Sequence, residues 1–167
     1  RQMCIRDSYY ACLVAKYYFE EYARVPVECD MASEYRYRSP VLDKNALCIF
    51  VSQSGETADT KAALDYSKSR GIKTLSIVNV KNSSIARESD FCIYTKAGAE
   101  IGVASTKAFT TQLTLLLLIA LRLGKENSSI RDSDYQRMLI EIQMLPSIIE
   151  DCLKIDKKIK IIANLFK

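Results

Sequence analysis

The chain has 167 residues, 49% hydrophobic and 26% charged, and its 24 Lys+Arg against 20 Asp+Glu leave a net charge of +4. That is one domain's worth of chain with apolar content enough for a core, and the charge excess is too small and too dispersed for a nucleic-acid surface. Because the sequence contains no His, it holds no Ser-His-Asp or Cys-His nucleophile pair, no His-liganded zinc and no imidazole proton shuttle.

The first helical pattern runs over Tyr9–Ala23. Val25–Cys29 (VPVEC) follows as a weak strand candidate, with Pro26 marking its edge or start. Ala32–Arg38 (ASEYRYR) reads as a short, capped, packed surface helix. Ala46–Val51 (ALCIFV) and Thr74–Val78 (TLSIV) are nearly continuous apolar runs, as strands buried on both faces should be. Between them, Thr57–Arg70 repeats Ala58, Ala62, Ala63 and Tyr66 at helical spacing and stops at Gly71, a C′ glycine. A helical turn over Ser83–Arg87 leads to a shorter strand, Asp90–Tyr94 (DFCIY).

Ala104–Leu123 is the longest and most apolar helix, expected to be central, buried and closed by Gly124. Its most apolar stretch, Leu113–Leu121, falls short of the roughly 20 residues that cross a bilayer, so no membrane span is expected. Beyond it lie a polar loop (Asn127–Asp132), an amphipathic helix over Asp134–Asp151 broken at Pro146, and a Lys-studded helix over Ile155–Phe166. Strands alternating with helices predict an α/β fold: a three-layer, doubly wound parallel sheet, followed by a C-terminal helical extension.

The cysteines (Cys4, Cys12, Cys29, Cys48, Cys92 and Cys152) are never two or three apart, so neither a CxxC redox pair nor a zinc knuckle is present. Cys48 and Cys92 fall in strand-like runs, where cysteine behaves as a small hydrophobe. This usage reads as a reducing compartment, the alternative being a disulfide-stapled secreted protein.

In an open parallel sheet, ligands bind beyond the carboxyl ends of the strands. Directly after ALCIFV comes Ser52-Gln53-Ser54-Gly55-Glu56-Thr57, opening a helix. Free backbone N–H groups, the positive end of a helix dipole and the hydroxyls of Ser52, Ser54 and Thr57 suit an anion, a phosphate above all. Capping by Ser54 would explain one hydroxyl, but not three together with Gln and Gly. Neither GxGxxG nor GxxxxGK[ST] occurs, which argues against a dinucleotide or nucleoside triphosphate. A second loop, Ala97–Thr106, carries two glycines and a Ser-Thr pair before the long helix. It fits a polar cradle or a simple capped turn equally. Glu100, its carboxylate, is expected to bond nearby backbone.

SQSGETADT (Ser52–Thr60), ASEYRYR (Ala32–Arg38), NVKNSSIARESD (Asn79–Asp90) and above all AGAEIGVASTKAFTTQL (Ala97–Leu113) resemble the first sugar-isomerase (SIS) domain of the glutamine–fructose-6-phosphate aminotransferase family. The likeness runs from about Ser8 to residue 150 and implies a flavodoxin-like fold. It implies sugar-phosphate contacts from Ser52, Gln53, Ser54 and Thr57, a further phosphate contact from Ser8, and sugar contacts from Val103 and Ser105. In that family a glutaminase domain precedes two SIS domains, and ammonia passes to fructose 6-phosphate, giving glucosamine 6-phosphate. The implied acid-base residues, a Glu, a His and a Lys, lie in the second SIS domain and the C-terminal tail of that family, so no catalytic residue, metal or cofactor is expected here.

The same resemblance sets the expected organisation. Residues 1–7 (RQMCIRD) lack the apolar first strand of the family and read as a non-native junction. Residues 8–126 form the SIS domain, and 127–167 a helical connection towards a second one. The implied setting is a cytoplasmic homo-oligomer, bound to neither nucleic acid nor membrane. The alternative is a stand-alone SIS domain that senses a phosphosugar to regulate a partner; a third reading makes the Ser/Thr loops mere caps.

Overall fold

The computed structural model describes residues 7–100 and 105–166. Apart from Asp7, the expected junction at residues 1–7 lies outside them. The chain divides into two compact units, Arg1–Ser129 and Ile130–Lys167.

The first unit is built on three parallel strands, β1 (Leu47–Ser52), β2 (Lys73–Val78) and β3 (Phe91–Tyr94), in the order β1-β2-β3. Leu47 pairs with Lys73 and Ser52 with Val78, so β1 and β2 end level. The central strand β2 is buried at five of its six residues, which is why TLSIV reads as a continuous apolar run rather than an alternating one.

Side chains alternate across the sheet and each face has its own core. On one face Ile49, Val51 and Ile77 pack with α1 (Asp7–Tyr18), the π-helical turn that continues it (Phe19–Ala23), and α5 (Lys107–Glu126). On the other, Cys48, Phe50 and Val78 pack with α3 (Ala58–Ser69) and α4 (Ser84–Glu88), while Tyr35 of α2 (Ala32–Tyr35) closes the edge. The result is the three-layer α/β arrangement expected from the alternation of strands and helices. Tyr35 meets Tyr66 edge to face and shares a 2.8 Å hydrogen bond with Ser67 Oγ; burial pushes its phenol up to about 12. Helix α2 is thus a packing element.

Two expectations for the first unit need correction. Val25–Cys29 forms no strand among the described residues: it runs extended, with Val25, Val27 and Cys29 half-buried and Pro26 and Glu28 exposed. Pro26 lacks the N–H a ladder needs, and the segment lies on the α1 core instead. Helix α5 does not close at Gly124 but runs to Glu126, because Ser128 (φ 58) takes the left-handed turn. Gly71 (φ 76) does close α3: Ile72 N–H donates to Ser67 O at 3.1 Å and Gly71 N–H to Lys68 O at 2.9 Å.

At 20 residues α5 is also long and apolar enough to cross a membrane, more so than Leu113–Leu121 alone suggests. In this unit it is a core helix, with Ala108, Leu116, Ala120 and Leu121 buried.

In the second unit, α6 (Asp132–Leu153) continues through Pro146 instead of breaking there, and α7 (Asp156–Asn164) follows. A proline inside a helix removes one backbone hydrogen bond and clashes with one preceding carbonyl, a local cost that the 22 residues of α6 absorb.

One hydrogen-bonded clasp joins β2 to β3. Asp90 Oδ2 accepts from Thr74 N–H (2.8 Å) and from Thr74 Oγ1 (3.0 Å), and Asp90 N–H donates back to that Oγ1 (3.0 Å). These bonds, the backbone one first, hold the Asp90 carboxyl below the ordinary carboxylate range against the opposing effect of desolvation, with the charges of Lys68 and Lys73 adding to them. A lowered folded-state pKa means the stabilisation is complete above the ordinary carboxylate range and fades as pH falls through it. Asp90→Asn should therefore lower the melting temperature at neutral pH and flatten its decline between about pH 5 and pH 3. Parallel melting profiles for variant and wild type would rule the clasp out as a stabilising contact.

Candidate functional site

The carboxyl ends of β1 and β2 open onto the loop at residues 52–57. Ser52, 4% exposed at the last position of β1, is the floor. Its Oγ accepts from Gly55 N–H at 3.1 Å and shares a 3.1 Å hydrogen bond with Thr57 Oγ1. Ser54 Oγ accepts from Glu56 N–H at 3.2 Å. Of the Ser52–Thr57 pair only one hydroxyl hydrogen is spent in their mutual bond, and the Ser54 hydroxyl accepts without donating there. The cluster therefore holds itself in shape and keeps O–H donors for something else.

Helix α3 starts immediately after. Thr57 occupies its N-cap position with extended φ/ψ (−68°, 116°), yet makes no side-chain cap bond. The caps-only reading would need such a bond from Ser54 or Thr57 to a first-turn amide. Ser54 bonds Glu56 instead, before the helix begins. Among the described residues no side chain caps the first-turn N–H groups of α3, which lie at the positive end of the helix dipole.

The loop is fastened from the side by Asn79, directly after β2, and by the first turn of α4. Asn79 N–H donates to Gln53 O (3.1 Å), Ile85 N–H to Gly55 O (3.0 Å), and Ser84 N–H to Glu56 Oε1 (2.7 Å). That last bond holds the Glu56 carboxyl below its usual range. Gly55 adopts φ +67°, and a Cβ there would stand 2.0 Å from Ser83 Oγ. Only glycine fits this turn.

Gln53 also lines an open cleft of about 640 Å3 together with Asn79, Lys81, Lys96, Gly98 and Glu100. Asn79 organises it: Oδ1 accepts from Ala97 N–H (2.8 Å) and Thr95 Oγ1 (3.1 Å), and Nδ2 donates to Gly98 O (2.7 Å). Glu100 Oε2 accepts from Ala108 N–H at 3.0 Å, so its carboxylate caps α5 and bonds backbone as expected. Ser105 is half-buried two residues before α5. Val103 lies outside the described residues.

Ser8 sits in the first turn of α1, where its Oγ accepts from Gln112 Nε2 at 3.0 Å. Gln112 is 2% exposed, and its Oε1 has no partner among the described residues. The structure thus groups Ser52, Gln53, Ser54 and Thr57 in one loop and fixes Ser8 to α5 rather than to that loop. Asn79, Lys81, Lys96 and Gln112 were missed in the sequence. Only Gln112 carried a signal: Ala108, Gln112, Leu116 and Ala120 recur every fourth residue, placing one polar side chain on an apolar stripe.

A family model described as the SIS domain matches residues 3–122. Over 157 residues the chain is 48% identical to the glutamine–fructose-6-phosphate aminotransferase (isomerizing) of Bartonella quintana, a match covering 94% of this chain and 26% of that protein. It is 50% identical over 155 residues to the enzyme of the same name from Bradyrhizobium diazoefficiens, covering 93% and 26% respectively. Among solved structures, the C-terminal domain of glucosamine-fructose-6-phosphate aminotransferase from Francisella tularensis superposes with a TM-score of 0.90 at 44% identity, over 96% of this chain and 46% of that one. The chain spans 26% of the length of the two sequence relatives.

Proposed function

The chain belongs to the SIS-domain family, and on that footing we propose that its 52–57 loop holds the phosphate of a hexose 6-phosphate, with fructose 6-phosphate as substrate and glucosamine 6-phosphate as product of the whole enzyme. The observation that carries this reading is the uncapped first turn of α3 facing a self-braced hydroxyl cluster. Phosphate oxygens would accept from the first-turn amides and from the free O–H donors of Ser54 and Thr57. Gln53 and Ser105, with Val103, would meet the sugar, and Ser8 would add a phosphate contact.

Isomerisation needs an acid and a base matched to neutral pH to move a proton between C1 and C2. This sequence has no His, and Glu100 is engaged in capping α5. The role assigned to these residues is binding and orientation. A glutaminase domain to release ammonia and a second SIS domain to supply acid-base groups would complete the reaction in a cytoplasmic homo-oligomer. Their presence is in keeping with relatives about four times as long as the matched segment.

Calorimetry on the whole protein tests the phosphate assignment directly. Fructose 6-phosphate should bind, inorganic phosphate should compete with it, and unphosphorylated fructose should give no heat above dilution. Equal binding of fructose and its phosphate ester would overturn the assignment.

A further inference from the structure

Asn79 is the first residue beyond β2, the central strand, with the end of β1 on one side and the end of β3 on the other. Its backbone serves one neighbour: Asn79 N–H donates to Gln53 O at 3.1 Å, in the 52–57 loop. Its side chain serves the other. Oδ1 accepts from Thr95 Oγ1 at 3.1 Å and from Ala97 N–H at 2.8 Å, and Nδ2 donates to Gly98 O at 2.7 Å. One residue thus ties the loop beyond β1 to the loop beyond β3, and both loops line the same open cleft.

The loop beyond β3 needs that support. Lys96 stands at φ 54 and Gly98 at φ 72, two left-handed residues separated by Ala97. Glycine takes this conformation freely, whereas the Cβ of lysine crowds the backbone there. Asn79 Oδ1 grips the residues on both sides of Lys96, so it holds the chain in the turn that Lys96 resists. Further along, the bond from Ala108 N–H to Glu100 Oε2 pins the other end of the segment to α5. Residues 95–100 are anchored at both ends, and Ser105 follows.

We propose that Asn79 is a positioning residue that sets the separation between the phosphate seat and the sugar-side loop after β3, and so selects sugar phosphates over phosphate alone. The inference rests on reading the 52–57 loop as the phosphate site and assigns the selection of sugar to a different residue. Fructose 6-phosphate carries its phosphate at C6 and its reacting atoms at C1 and C2, so its carbon chain fixes how far apart its two ends lie. Such a ligand gains from both ends only where the protein already holds the two contact surfaces at a matching separation. Inorganic phosphate meets one surface and does not sense the other. With both polar side-chain atoms spent on residues 95–98, Asn79 acts through that loop.

Asn79→Ala tests this, because it keeps the backbone bond to Gln53 and loses the three side-chain bonds. Calorimetry on the whole protein titrates fructose 6-phosphate and inorganic phosphate separately. Affinity for the sugar phosphate should fall by about tenfold or more, while that for phosphate changes by less than about twofold. Thr95→Val removes only the Thr95 Oγ1 bond and should shift the ratio of the two affinities the same way by a smaller factor. Should Asn79→Ala not fold, the ratio in Thr95→Val decides alone. A merely structural contact would weaken both ligands in parallel or neither, and either result would overturn the proposal. Wild-type protein that binds neither ligand would overturn the phosphate reading and this inference with it, so the wild-type titration tells the two failures apart.

Discussion

Gly55→Ala is expected to destabilise the first unit by roughly 2–5 kcal/mol and to abolish fructose 6-phosphate binding. The added Cβ would meet Ser83 Oγ at 2.0 Å and Ser83 Cβ at 2.6 Å, with Val78 Cγ1 at 3.3 Å closing the third side. Ser83 cannot yield easily: it is 2% exposed and precedes α4 directly. The left-handed backbone at φ +67° adds about 1–2 kcal/mol for any residue with a Cβ. Urea denaturation followed by circular dichroism measures the loss. The clash and the backbone cost separate in the double variant: Ser83→Gly beside Gly55→Ala removes the obstructing atoms and should leave about 1–2 kcal/mol. A Gly55→Ala protein as stable as wild type would show that the loop does not keep this contact in solution.

The second large effect is on affinity. Ser54→Ala and Thr57→Ala together should weaken fructose 6-phosphate binding by at least about a hundredfold in calorimetry, since each lost hydrogen bond to a charged group is worth on the order of 1.5–3 kcal/mol. Stability should change far less. Ser54 Oγ makes a single exposed bond to Glu56 N–H, and Thr57 makes no cap bond to α3; the variant gives up the 3.1 Å bond from Thr57 Oγ1 to Ser52 Oγ, which still holds Gly55 N–H. Ser52 would be the wrong choice for this test, because its Oγ holds Gly55 N–H inside the loop and its loss confounds folding with binding. Unchanged affinity in the double variant would remove the phosphate assignment.

Much of the framework could be read from the sequence because its causes are local. The strands β1 and β2 announced themselves as apolar runs, since a strand covered on both faces has no polar side to show. The 52–57 loop stood out because three hydroxyls and a glycine at a strand's end exceed what a turn requires. What escaped was what distant residues decide. Val25–Cys29 has strand composition, but its neighbour is a helix, and β propensity cannot tell the two apart. Asn79 reads as an ordinary turn residue until Thr95, Ala97 and Gly98 are seen around it.

The three bonds from Asn79 and the first turn of α4 to Gln53, Gly55 and Glu56 have a further thermodynamic consequence. A cradle already rigid before a guest arrives has little motional freedom left to surrender, so capture needs no slow rearrangement and loses little affinity to ordering. That stiffness would also divide labour within the unit: the anion seat proposed at residues 52–57 would tolerate almost no remodelling, and a shift in sugar preference would come from the cleft walls around Lys81 and Lys96.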